Sequence, residues 1–414
     1  MSNYKEITKC RICDGDEFEV AISLGDQVLT GVFPSSKDEV VASGPIDLVR
    51  CSKKEGCGLV QLKQSYDTSE MYGMNYGYRS SLNVSMSQHL ENKVNSILRK
   101  NILDTGDVVI DIGSNDATTL KFYPENIYNL IGVDPTGIKF ESYYPDNIKL
   151  VKDFFGVEQV GPILNGKKAK VISSFSMFYD LEDPVNFAKE VESLLHDDGI
   201  WVLEQSYLPA MLETNSFDTI CHEHLEFYTL SQIEWIMKEV GLRVIDVEFN
   251  DINGGSFSIE AAKEGSLHIS NNDALQKIRL NESKLGLEDG SAFRKFREDV
   301  DIARKDLLEF LIKAKEDGKS VAGLGASTKG NVLLQYFDIN SELLPFIGEV
   351  NQEKFGCYTP GTKIPIMSEE EVIEKKPDYL LVLPWHFKDF FVSNQKFRGL
   401  TLIFPLPKLH LISL

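Results

Sequence analysis

The chain has 414 residues and a formal net charge of −20. That length predicts two or three domains rather than one, and a 42% hydrophobic share is enough for a sizeable core. The acidic balance excludes nucleic acid as the main partner, because a phosphate backbone needs a basic surface; a local basic pocket for a small phosphate ligand stays open.

The start, Met1-Ser2-Asn3-Tyr4-Lys5-Glu6, lacks the apolar core of a signal peptide. No apolar run reaches membrane-spanning length. The expectation is a cytoplasmic protein with no membrane partner, whose six cysteines are thiols or metal ligands rather than disulfides. Cys10-Arg11-Ile12-Cys13 is a C-x-x-C pair, and Cys51 and Cys57 supply a second, wider pair. Four thiolates in two close pairs suit tetrahedral Zn²⁺ in a closed, structural site. The alternative is a redox pair at Cys10 and Cys13, but no thioredoxin-like βαβ pattern surrounds it. A segment this small has little core of its own, so the metal would add folding energy.

Residues 71–83 crowd tyrosine, glycine and serine without helical or strand periodicity. They read either as a polar aromatic lid or as a plain connector. A helical pattern follows over 84–103 and carries His89.

Residues 107–116 read as a buried strand running into a turn, Asp111-Ile112-Gly113-Ser114-Asn115-Asp116, with a helix expected over 117–122. A second strand, 129–134, ends in Asp134, at the spacing from which a carboxylate reaches ribose hydroxyls. The turn lacks the glycines that admit a pyrophosphate. An adenosyl ligand without phosphates fits better, which points to S-adenosylmethionine (SAM) rather than NAD. After a third strand, 148–151, Asp153 and Phe154-Phe155 could bracket an adenine. A fourth strand, 169–174, leads to Phe175-Ser176-Met177-Phe178-Tyr179. The fifth, 200–205, leads to Phe217-Asp218-Thr219-Ile220-Cys221-His222-Glu223-His224. Two histidines and a carboxylate after a strand stand where an open α/β sheet does its chemistry. Their H-x-H spacing is not the H-E-x-x-H of a helical zinc site, so they read as acid–base equipment. Two strands, 243–249 and 255–262, end this part as an antiparallel pair joined by a turn at Asn253-Gly254.

Residues 271–315 are polar and helical. A second strand–turn–helix unit follows, with Gly323-Leu324-Gly325-Ala326-Ser327-Thr328-Lys329 favourable to a phosphate, and strands over 343–350, 379–383 and 399–404. A Rossmann-like unit used only for packing is the alternative.

In that order, the four cysteines, Tyr76-Gly77-Tyr78-Arg79-Ser80-Ser81, the Asp111–Asp116 turn, Met177-Phe178-Tyr179-Asp180-Leu181, Cys221-His222-Glu223-His224, Asn253-Gly254-Gly255-Ser256 and Gly325-Ala326-Ser327-Thr328-Lys329-Gly330-Asn331 carry a resemblance over essentially the full length. The chain resembles the SAM-dependent nucleotide-sugar C-methyltransferases of branched deoxysugar biosynthesis. The resemblance implies an α/β protein of three domains. These are a zinc-binding domain (1–70), a class I methyltransferase domain of Rossmann type (71–265), and a helical bridge with a second Rossmann-like domain for the nucleotide sugar (266–414). It implies SAM and structural zinc as cofactors, and a nucleotide-diphosphate 4-keto sugar as substrate, methylated at C3 through an enolate. His224 would be the base, with Glu223 orienting it or sharing the role. Tyr76 and Tyr78 would face the sugar, with Tyr179 and Asn253 also on the substrate side. Asp134 would hold the SAM ribose, with Asp111, Gly113, Asn115 and Ser176 around the methionyl part. Ser327, Lys329 and Asn331 would meet the diphosphate. The chain departs from the pattern at Ala117, where the SAM turn often has glycine, and at Cys221, where some relatives carry an aromatic residue. A sugar O-methyltransferase and a non-catalytic nucleotide-sugar-binding protein are the competing functions; a monomer or small homo-oligomer is expected.

Overall fold

The structure, a computed structural model, describes residues 4–66 and 79–414; Tyr76 and Tyr78 lie outside the described residues. Among the described residues no helix is long and apolar enough to cross a membrane.

The central sheet has seven strands: β1 (Val108–Ile112), β2 (Asn129–Val133), β3 (Ile148–Val151), β4 (Ala169–Phe175), β5 (Leu195–Ser206), β6 (Leu242–Asn250) and β7 (Ser256–Lys263). Their order is β6-β7-β5-β4-β1-β2-β3, parallel except that β7 runs antiparallel to both neighbours. β1 is buried at every position, as a strand covered on both faces must be, which is why it reads as an unbroken apolar run. Helices start where the sequence supplies caps. The Asn83 side chain accepts from Ser85 and Met86 N–H at the head of Val84–Arg99. Asp183 accepts from Asn186 N–H ahead of Pro184, and Thr229 and Gln232 form a capping box for Leu230–Glu239. This is the class I methyltransferase arrangement, and the antiparallel terminal pair falls where the sequence pattern places it.

The helix expected over 117–122 is absent. Only a 3-10 turn, Leu120–Phe122, forms there. Asn115 (φ 48°) and Ala117 (φ 62°) both adopt the left-handed region, which breaks a right-handed helix before it begins.

The amino-terminal segment forms an antiparallel sheet of Phe18–Val28, Ser43–Cys51 and Val60–Leu62, completed by Glu226–Phe227 from the stretch after β5. The carboxy-terminal sheet has six strands in the order Ile366–Ser368, Ile347–Glu349, Val321–Leu324, Tyr379–Val382, Thr401–Phe404 and His410–Ser413, with only the last antiparallel. The strand expected over 343–350 is only Ile347–Glu349, and two three- or four-residue edge strands lacked a sequence signal. The helix Ser291–Glu316 lays one buried stripe (Phe293, Phe296, Val300, Ala303, Leu307, Leu311 and Ala314) between the first and last sheets.

The amino-terminal and carboxy-terminal sheets share a single apolar core, and the stretch after β5 lies inside it: Leu208, Met211, Phe217, Ile220, Cys221, Leu225 and Phe227. The Phe217 ring is fully buried, 4.9 Å from Phe337 and 5.5 Å from Tyr336 between centroids. Phe217→Ala should therefore destabilise the protein by about 3–5 kcal/mol, the range for an emptied aromatic site. Urea unfolding would read the change; a loss under about 1 kcal/mol would mean that the two sheets do not depend on this ring.

Candidate active site

Four sulfurs define the first centre. Sγ of Cys10, Cys13, Cys51 and Cys57 all lie within 4.8 Å of one another, with Cys10–Cys57 at 3.4 Å and Cys13–Cys51 at 3.6 Å. A zinc tetrahedron with ~2.3 Å Zn–S bonds has sulfur edges of ~3.8 Å, so the donor set fits the metal. Gln61 Nε2 donates to Cys10 Sγ (3.1 Å) and Leu59 N–H to Cys57 Sγ (3.4 Å). A Cβ at Gly15 would come within 2.9 Å of Cys51 Sγ, so glycine there leaves the sulfur room. Zinc is the structural metal of this site, and the knuckle is tied to the stretch after β5: Gln232, from the capping box that follows that stretch, donates to the Cys57 carbonyl at 2.8 Å.

The second centre is a cavity of about 230 Å³ at the carboxyl ends of β1, β2 and β4. Of the residues expected there, Asp111, Gly113, Asn115, Asp134, Phe154 and Ser176 line it. Asp153 does not; it is exposed and its Oδ1 accepts the N–H of Phe154. Met177, the first residue of the Met177–Leu181 motif, lines it too, and so do Met86 and Leu90, which were not singled out in the sequence. Asp134 Oδ1 accepts from Thr136 N–H (2.7 Å) and hydroxyl (2.5 Å), and Oδ2 accepts from Asn115 N–H (2.7 Å). A carboxylate has about four acceptor positions, so one remains for a ribose hydroxyl. Gly113 sits at φ +72°, and a Cβ there would meet Met177 at 3.2 Å. Asn115, Ala117 and Ser176 (φ 55°) are also left-handed, and such strain gathers where a backbone must face a ligand. The shape, the carboxylates and the aromatic wall fit SAM.

Burial pushes the Asp111 carboxyl up to about 7, against the opposing hydrogen bonds from Ser173 and Thr119.

The third centre is the loop between β5 and the helix Leu230–Glu239. Its ends are closed by a bridge between Tyr207 and Tyr228. The two histidines in it differ. His222 is buried, its Nε2 donates to the Gln27 carbonyl (3.2 Å), and burial depresses it to about 4; it is a neutral tie to the amino-terminal sheet. His224 is only partly buried, and its Nδ1 lies 2.8 Å from the Thr219 carbonyl. A carbonyl only accepts, so Nδ1 carries the proton and neutral His224 presents a bare Nε2. Its ring stands edge-on to Tyr179 at 4.5 Å. Burial raises the Glu223 carboxyl, with His224 opposing. Glu223 Oε1 would lie 2.6 Å from a Cβ at Gly31, a residue of the amino-terminal segment. Nothing in the sequence signals that approach.

The carboxy-terminal domain closes the site. Lys329 Nζ donates to the Asn253 carbonyl (2.7 Å), and Asn253 Nδ2 reaches Ser176 Oγ (3.5 Å) in the cofactor cavity. Burial lowers the Lys329 ammonium, with Asp218 opposing. Ser327 Oγ caps its own helix by accepting from Gly330 N–H (3.0 Å). Asn331 is fully buried and donates to the Thr30 carbonyl (2.7 Å), so its amide ties two domains together. Trp385 Nε1 donates to buried Asp218 (2.8 Å), and a Cβ at Gly254 would meet His386 at 3.9 Å. Trp385 and His386 were not picked out, although their position after a strand was a usable signal.

Three measurements check these centres. Cys10→Ser should take the protein from about one bound zinc to near none by atomic emission and lower its unfolding midpoint; a stable, metal-free variant would remove the structural role. Gly31→Ala needs no left-handed backbone and should leave the midpoint nearly unchanged while displacing Glu223 and slowing turnover about 10–100-fold. Asp111 has a folded pKa above its unfolded value of ~3.9. Its contribution to stability is therefore complete below about pH 4 and lost as pH rises through about 7. In SAM-free protein, urea midpoints should fall over that window, and Asp111→Asn should flatten the fall.

Family profiles match the chain almost end to end: a zinc binding domain over residues 10–72, a methyltransferase domain over 86–247 and a C-methyltransferase C-terminal domain over 251–407. C-methyltransferase NovU of Streptomyces niveus is 29% identical over 416 residues, which cover 99% of this chain and 98% of NovU. Two solved structures overlap a smaller part. Magnesium protoporphyrin IX methyltransferase (ChlM) from Synechocystis PCC 6803 with bound SAM is 13% identical, covers 44% of this chain and 81% of its own, and has a TM-score of 0.33. An S-adenosylmethionine-dependent methyltransferase from Clostridium acetobutylicum ATCC 824 is 11% identical, with 42% and 91% covered and a TM-score of 0.34. The chain belongs to the family of SAM-dependent C-methyltransferases in which a zinc-binding domain precedes the methyltransferase domain and a C-methyltransferase C-terminal domain follows it.

Proposed function

We propose that this C-methyltransferase acts on a nucleotide-linked 4-keto sugar and methylates the carbon beside the ketone, C3, through an enolate. The observation that carries the reading is the state of His224. Its Nδ1–H is held by the Thr219 carbonyl, which leaves Nε2 as a base, and it stands where the loop after β5 meets the carboxy-terminal domain. A carbon nucleophile needs such a group, because C–H must lose a proton before carbon can attack; a ketone acidifies that proton.

SAM, when bound, supplies an electrophilic methyl group. The chain's own residues do the rest. His224 Nε2 takes the proton from C3. Glu223, held beside it, stabilises the imidazolium that results, and Tyr179 limits the ring's rotation by its edge contact. Lys329 has two N–H donors beyond the one given to Asn253, and they supply positive charge to the diphosphate or to the enolate oxygen. Ser327 is the other polar group of that turn. Asn253 links the Lys329 side to Ser176, so it sets the distance between acceptor and cofactor.

The test is incubation with SAM and a panel of nucleotide-linked 4-keto sugars that varies base and sugar. The expected product gains one CH₂, placed on carbon by NMR. His224→Ala should lose ~10²–10⁴-fold in rate while calorimetry still detects SAM binding. A methyl group on oxygen, or a near-wild-type rate for His224→Ala, would overturn the proposal.

A further inference from the structure

The helix Val84–Arg99 turns one face toward two features at once. Met86 and Leu90 line the cofactor cavity. His89 and Lys93, on the same face at helical spacing, reach the side chain of Glu204, near the carboxyl end of β5. His89 Nε2 lies 2.5 Å from Glu204 Oε1, and Lys93 Nζ lies 3.4 Å from Oε2. Asn250 Nδ2 donates to Oε2 at 2.9 Å, and Lys93 is also paired with Glu248 of β6 at 2.7 Å. Glu204 is 1% exposed. Its main chain serves the same cavity, since its carbonyl accepts the N–H of left-handed Ser176 at 2.7 Å.

One buried residue thus holds a cavity wall with its backbone, and with its carboxylate the helix that forms another wall and the start of the turn that carries Asn253. We propose that His89 and Glu204 are positioning residues for the cofactor: their bond seats the helix so that Met86 and Leu90 close on bound SAM. The inference rests on the cavity being the SAM site and holds whatever the methyl acceptor is.

The probe is S-adenosylhomocysteine binding to the full chain by calorimetry, with thermal midpoints measured beside it. His89→Ala should weaken binding about tenfold or more, the effect of removing one charge-assisted hydrogen bond. His89→Gln keeps an N–H donor at similar reach and should restore affinity to within about threefold. Glu204→Gln should weaken binding too, and the double variant should be no worse than the weaker single one, because both act through one bond. Ile97→Val, which trims the same helix in its packed half away from the cavity, is the control for a general loss of stability. Unchanged affinity in His89→Ala overturns the proposal, and so does an equal loss in Ile97→Val. Gly113→Val tests the cavity itself: retained binding there would show that the cofactor lies elsewhere, and the proposal would fall for that separate reason.

Discussion

A histidine whose Nδ1–H is held by a carbonyl five residues earlier is useful only if that carbonyl cannot move. Between Tyr207 and Tyr228 only a short helix, Leu208–Glu213, a 3-10 turn, Phe217–Thr219, and the strand Glu226–Phe227 are regular, and residues 220–225 around His224 are not, so their immobility must come from outside. The amino-terminal sheet takes Glu226–Phe227 as a strand, the carboxy-terminal core takes Phe217, and the Gln27 carbonyl accepts from His222. Leu225 is pinned from both sides, its N–H to the Tyr179 carbonyl and its carbonyl to Leu62 N–H, each at 2.8 Å. Each partner removes a freedom that the loop would otherwise keep, at the residues flanking His224.

That packing has an electrostatic cost. Asp218, Glu223 and Glu226 are all raised by burial, since a charge leaves water only against opposition. Arg11 approaches Glu226 at 3.6 Å, and Lys329 opposes the shift of Asp218, so these two burdens are partly offset by cations from other domains, while Glu223 is opposed by His224 of its own loop. The shared apolar core supplies the remaining free energy, by burying large side chains from both outer sheets. A site so arranged is stabilised by the whole molecule rather than by its own contacts. The zinc knuckle belongs to the same logic, since Cys51 and Cys57 flank the strand edge and the carbonyl that hold the loop's far end.

The middle of the central sheet was legible in the sequence because strands such as β1 and β2 are buried on both faces and therefore read as apolar runs. The four cysteines were legible for a chemical reason: paired thiols in a chain expected to be reduced suit few other roles. What stayed hidden depends on juxtaposition. Ala117 as a residue type favours a helix, and only the glycine that such turns often carry there hinted at its positive φ, so the expected helix gave way to a 3-10 turn. Asp153 stood next to the aromatic that does line the cavity, and a one-residue difference in direction put it outside. Gly31 lies almost two hundred residues from Glu223 in sequence, and no local pattern marks a contact of that range. The resemblance put Asn331 at the diphosphate, whereas it is buried in the helix Thr328–Tyr336 and its amide crosses to Thr30. His89 read as one polar residue on a helix, because its partner is a strand residue far along the chain.

The account turns on proton removal from carbon, and that step can be watched without methyl transfer. With S-adenosylhomocysteine bound, a nucleotide-linked 4-keto sugar in deuterium oxide should exchange the hydrogen on the carbon beside its ketone in the presence of the wild-type protein, and not with His224→Ala. Exchange read by NMR at that carbon would establish the base directly. A sugar that the protein methylates, yet whose C–H stays unexchanged, or one that exchanges equally with His224→Ala, would contradict it.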